Sequence, residues 1–224
     1  MSAPAVLLEA LDAAAAEQIQ DFRFPGLLSP ADWAALPPAV RHRFSKSLAG
    51  GATAIYTGHV TVCTMSRTGW LLAQALRIVG APLPLTRHTG LPTVVSVTEE
   101  SASGGQNWTR VYARKSGFPQ VIHSTKRFSG STGLEEYIGH GIRMALTLSV
   151  ENGTLLFTSA GYFIDLGWLC LRLPRWLAPG QTVVTHRETA GDEFLFALDL
   201  THPWFGTLVH QEALYAEVQA CSGA

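Results

Sequence analysis

The side chains best placed to do chemistry in this 224-residue chain fall on two neighbouring predicted strands. The segment Gln106–Arg114 alternates so that Trp108, Arg110, Tyr112 and Arg114 share one face, with Thr109, Val111 and Ala113 on the other. If the first face points into a barrel, Arg110 and Tyr112 need polar partners, because an unpaired buried polar group is costly. Glu136 is the natural ionic partner for Arg110. Two roles are open to that pair. It can be an architectural ion pair closing one barrel end under Trp108, or the planar guanidinium can anchor a ligand carboxylate or carbonyl. On the next segment Val121, His123, Thr125 and Arg127 alternate against Ile122, Ser124, Lys126 and Phe128, so both faces carry polar groups. His123 is a candidate general base, although a lone strand histidine is more often a satisfied polar residue. His123 and Glu136 are thus the candidate proton-transfer pair, and Trp108, Arg110, Tyr112 and Lys126 the candidate ligand contacts.

A second pattern is the repeated His-x-Glu of His186/Glu188 and His210/Glu212, each pair on one face of its predicted strand. Imidazole and carboxylate suit a transition metal, but Arg187 and Gln211 interleave them, and a solvated face of opposed charges is the favoured reading. No metal or other cofactor is expected. Cys63, Cys170 and Cys221 are odd in number and form no CxxC, so neither a zinc nor a redox motif is present; Cys63 and Cys170 read as buried, inert thiols. No GxSxG elbow occurs. Ser129-Gly130-Ser131-Thr132-Gly133 reads as a loop before a helix starting near Leu134.

The elements that must hold these residues are mostly strands. Ser29-Pro30 opens a short helix that Leu36-Pro37-Pro38 breaks, and Ala39–Leu48 forms another short turn or helix. Ala54–Thr64 alternates as a strand. Ser66 caps a helix over Arg67–Val79 with a broad apolar stripe, stopped by Gly80 and Pro82. Eight further strands follow: Thr93–Glu99, Gln106–Arg114, Pro119–Phe128, Arg143–Glu151, Thr154–Ala160, Gln181–Glu188, Glu193–Thr201 and Thr207–Val218. Tight turns separate most of them, Asn152-Gly153 being the clearest hairpin signal, so neighbours are antiparallel. The fold class is mainly β: an antiparallel meander forming a barrel or half-barrel, with a few N-terminal helices over one side or end. Residues 1–28 read as a helical extension, 29–218 as a single barrel-like domain and 219–224 as a tail.

Composition narrows the function. The chain is 47% hydrophobic but only 15% charged, which favours a cavity, a partner or a membrane surface for the surplus apolar area. Sixteen basic and 17 acidic residues give no basic excess, so nucleic-acid binding is not expected. Met1–Gln20 lacks a basic leader, and Glu9, Asp12 and Glu17 interrupt it as a short amphipathic helix would. Ala160–Leu177, the most apolar stretch, is broken by Asp165, Arg172, Pro174 and Arg175, so no transmembrane segment is expected, though peripheral membrane contact stays open. A cytoplasmic location fits the cysteine usage.

Trp108-Thr109-Arg110, the Phe118–Phe128 strand, Glu136 with Gly139, Leu173-Pro174-Arg175-Trp176-Leu177 and Gly206-Thr207-Leu208 resemble a bacterial family catalogued as domain of unknown function 4166. Weaker likeness extends through Leu36–Arg41 and the Ser66–Pro82 helix. Members of that family often sit at the C-terminus of saccharopine-dehydrogenase-like reductases, so the resemblance implies a reductase as a partner. No GxGxxG follows a strand near this N-terminus. The leading expectation is binding of an apolar or amphipathic small molecule, lipid or polyketide-like, in a barrel pocket. The alternatives are a metal-independent isomerase, cyclase or lyase using His123 and Glu136, or a non-catalytic docking domain.

Overall fold

Side chains alternate between an inner and an outer face along the strands, and the meander closes on itself. The computed structural model describes residues 20–80, 82–191 and 193–218; the expected helix before Gln20, Cys221 and the tail lie outside them. The strands are β1 (Thr53–Met65), β2 (Pro92–Glu100), β3 (Gly105–Tyr112), β4 (Gln120–Arg127), β5 (Glu135–Gly139), β6 (Ile142–Glu151), β7 (Thr154–Asp165), β8 (Cys170–Arg172), β9 (Gln181–Glu188), β10 (Glu193–His202) and β11 (Gly206–Glu217). Ten form a closed antiparallel ring, each beside its successor except that β7 pairs with β9 and β11 returns to β1. β8 pairs with the end of β7 outside the ring. The barrel is therefore complete and leaves no open edge in the ring. At the β6–β7 hairpin Asn152 and Gly153 both take positive φ, 49° and 74°, as a tight primed turn requires.

The outer wall is mixed: Thr57, Thr109, His123, Arg187 and Asp199 lie on outward positions, beside exposed Ile55, Val94 and Val121. Three short helices serve the barrel ends. α1 (Pro30–Ala35) starts where Ser29 Oγ accepts from the Asp32 amide at 3.1 Å, and α2 (Pro38–Ser45) follows it. Together with Phe24 they place Leu36, Val40 and Phe44 against Leu134, Leu146, Leu155 and Phe157, plugging one end. α3 (Arg67–Ala75) covers the other end, capped by Ser66 Oγ on the Gly69 amide at 3.0 Å. It rests directly on β11: a Cβ added at Gly69 would stand 2.0 Å from the Leu208 carbonyl oxygen, so only glycine permits this approach. A 3₁₀ turn, Leu76–Val79, replaces the last part of the expected helix before Gly80.

Two expectations are corrected here. The helix expected near Leu134 is the strand β5. Its consecutive Glu135 and Glu136 are both buried, Glu135 receiving Arg143 at 2.8 Å and Glu136 receiving Arg110 and Lys126. Cys170, expected to be buried, is exposed on β8, where Arg143 donates to its Sγ at 2.9 Å.

Candidate functional site

Of the residues singled out, Arg110, Tyr112 and Glu136 line a cavity of about 100 Å³ inside the barrel, while Trp108 and Lys126 sit on the same inner face but do not line it. Register explains the convergence. Trp108 lies level with Ser124, Arg110 with Ile122, and Lys126 with Glu136, so all six share the inner face. Arg110 donates to Ser124 Oγ at 3.1 Å and to Glu136 Oε1 at 3.3 Å. Lys126 Nζ donates to Glu136 Oε2 at 3.2 Å, and its ammonium lies 4.9 Å from the Trp108 ring centre. Tyr112, also inward, hydrogen-bonds Tyr215, which in turn meets Thr93 Oγ1 at 3.2 Å.

Electrostatics follow from two cations sharing one carboxylate. Burial alone would raise the Glu136 carboxyl, but Lys126 and Arg110 outweigh it and hold the group down at about 2. Burial lowers the Lys126 ammonium, the nearby Arg110 adds to that, and Glu136 only partly opposes them. Counted at formal charges, two cations face one carboxylate beside a largely apolar chamber. Its walls include Ile122, Met144, Tyr162, Phe196 and Leu198; its roof is Leu76, Pro82–Pro84 and Pro179 at the α3 end. The buried Gln120 fixes that roof. It donates to the Leu83 carbonyl at 2.8 Å and accepts from the Leu85 amide at 2.9 Å.

His123 is not part of this arrangement. Strand alternation turns its exposed ring to the outer wall, where Nδ1 lies 3.1 Å from Thr109 Oγ1, while Ser124 and Lys126 point inward. The structure therefore does not bring His123 and Glu136 together as a proton-transfer pair. Nor do the two His-x-Glu pairs converge. His186 is level with Phe196, and Phe196 with Ala213, all inward; His210 is level with Asp199, and Asp199 with Val183, all outward. His186 instead meets Arg43 of α2, whose guanidinium lies 2.7 Å from its Nε2, 3.3 Å from Glu188 and stacked 3.9 Å over Phe194. Burial first, then Arg43, drives the His186 imidazole well below its ordinary range, so it is neutral at pH 7. Sequence reasoning missed Arg43 and Gln120, because neither belongs to a spaced motif and both reach the interior from elements distant in the chain.

A closed barrel with a charged cluster beside a small apolar chamber defines this protein as a compact cavity-forming barrel. Residues 36–214 match the family described as Domain of unknown function (DUF4166), and the chain belongs to that family. No curated protein and no solved structure matches it.

Proposed function

We propose that the barrel binds a small amphipathic molecule, its apolar part in the chamber and a carboxylate or carbonyl at Arg110. The observation that carries this reading is that Arg110 opens onto an apolar cavity while sharing the single carboxylate of Glu136 with a second cation, Lys126. A guanidinium has five N–H donors, so Arg110 can keep Ser124 and Glu136 and still receive a ligand oxygen. Apolar walls with a few placed polar groups are the usual make-up of such sites. The volume limits the ligand. About 100 Å³ is below the roughly 150 Å³ chamber that accepts benzene, so a lipid-length chain requires the roof to move. The geometry gives less support to proton-transfer catalysis, since His123 faces outward and a carboxyl held at about 2 is a weak base.

The test begins with native mass spectrometry of the purified chain and extraction of anything bound, followed by thermal shift across alkanoates of increasing length. Short alkanoates should raise the Tm. Arg110→Met should abolish that rise, and Leu198→Trp, which fills the chamber from the wall, should abolish it independently. An apo mass with no alkanoate response, or a response untouched by both variants, would refute the reading.

A further inference from the structure

The two ends of the barrel differ sharply in what they expose. Of the 17 large hydrophobic side chains exposed among the described residues, 12 lie on α3, on the stretch leading to β2, or in the loops β3–β4, β7–β9 and β10–β11 at that same end. Four are tryptophans: Trp70, Trp168, Trp176 and Trp204, with Trp168 86% and Trp204 69% exposed. Leu71 and Leu72 of α3, Leu177 and Phe205 line one groove, which shows that the three segments meet. Scattered exposed hydrophobics need no explanation; this concentration at one end does.

Charge is just as unequal. The same segments hold Arg67, Arg77 and Arg87 around α3 and the roof, Arg114 and Lys115 in the β3–β4 loop, and Arg172 and Arg175 beyond β7. All seven are exposed, and none makes an ion pair among the described residues. The one acidic residue there is Asp165, which lies 3.8 Å from Arg143. At the opposite end charges of both signs are paired: Glu100 with Arg127, Glu188 with Arg43 and Glu217 with Lys46.

We propose that the α3 end is a docking face for an anionic phospholipid bilayer. Tryptophan and leucine insert at the headgroup boundary, and interleaved arginines meet anionic headgroups. The cations of the α3 end are unpaired, whereas Arg43, Lys46 and Arg127 at the far end are bound to carboxylates, so the field orients the barrel with its cavity roof toward the lipid. Single-stranded nucleic acid would use the tryptophans and arginines, but Leu71, Ile78, Leu171 and Leu177 have no partner in a base stack. Tryptophan and arginine are also enriched at protein interfaces, so the test separates a protein contact from lipid by outcome. Among the described residues no helix is long and apolar enough to cross a membrane, and the contact proposed here is through this end. The docking does not depend on the cavity reading; only the delivery of a ligand through the roof does.

The test is flotation of the full chain with vesicles of phosphatidylcholine, with and without phosphatidylglycerol, at low and physiological salt. Binding should require phosphatidylglycerol and weaken with salt, and brominated acyl chains should quench the tryptophan fluorescence. Arg172→Glu with Arg175→Glu should lower partitioning by more than tenfold, at about fivefold or more per reversed charge. Trp176→Ser with Trp204→Ser should lower both binding and quenching while Tm holds, since both rings are exposed. The proposal fails if the wild type does not float with phosphatidylglycerol or is not quenched. It also fails if neither double variant changes flotation, if an oligonucleotide binds in place of lipid, or if sedimentation shows a dimer that the tryptophan variant dissolves. A chain that takes up alkanoates but does not float overturns docking alone; one that floats but takes up none overturns the cavity reading alone.

Discussion

Glu136 and Lys126 form one buried contact, yet removing either partner should have very different consequences. The drop of the Glu136 carboxyl from 4.5 to about 2 means that the folded state favours its charged form, by about 3 kcal/mol. The Lys126 ammonium moves the other way, below its ordinary value, so folding disfavours its charge. Glu136→Gln therefore discards a favourable charge and leaves Arg110 and Lys126 facing each other, only 11% and 6% exposed. Breaking a buried pair in this manner costs about 3–5 kcal/mol. Lys126→Met removes a charge that is itself a cost, leaves Arg110 and Glu136 balanced, and fills the same space between Trp108 and Phe157. Its expected cost is below about 1.5 kcal/mol, the range of volume-conserving core changes. Lys126→Met added to Glu136→Gln should recover part of the loss. The assay is equilibrium urea denaturation at pH 7, with the m-value checked for two-state behaviour. A Lys126→Met variant as destabilised as Glu136→Gln would refute the claim that the Lys126 charge is a cost to the fold.

Stability should also depend on pH with a definite sign. His186 is depressed in the fold, so its neutral form is fully favourable above about 6.5 and stability falls as the unfolded chain protonates below that. Glu136 adds a second loss between 4.5 and about 2, which Glu136→Gln should erase from the urea midpoint profile. Gly69→Ala should lower stability by about 1–3 kcal/mol, since its Cβ would meet the Leu208 carbonyl at 2.0 Å and lift α3 from β11; thermal denaturation reads this directly. A Gly69→Ala protein as stable as the parent would contradict the packing described for α3.

Much of the barrel was legible because period-two alternation and turn residues are local signals. Nine of the ring strands are visible as alternating runs, and Asn152-Gly153 marks its hairpin correctly. β5 was not, since Glu135 and Glu136 hide a strand whose buried carboxylates make sense only beside Arg143, Lys126 and Arg110. That Trp108, Arg110 and Tyr112 share one face was readable from parity, and Glu136 was nameable as the partner of Arg110; that this face is the inner one was not. Nor was the facing of His123. A strand with polar residues on both sides gives no indication of which side is inside, and that is decided by register with β3 and β5. The same limit applies to the His-x-Glu pairs, whose opposite facing depends on single-residue offsets across β10.

The closed ring makes the route into the chamber a question about its two ends. The α1–α2 end is plugged by Phe24, Leu36, Val40 and Phe44, with Arg43 bridging to His186 and Glu188, so opening it would expose a major part of the core. The α3 end is held more lightly. Its roof is tied by the two hydrogen bonds of Gln120, worth together about 2–3 kcal/mol, and by proline-rich chain without regular structure around Leu83. An opening cost of a few kcal/mol corresponds to a minor open population of about 0.1–10%, enough for exchange with a ligand. Only a contact that favours the open form can enlarge that population. On the docking proposal such a contact is a bilayer meeting Trp70, Leu71 and Leu177 beside the roof, so lipid binding and ligand exchange would be coupled through the same few residues.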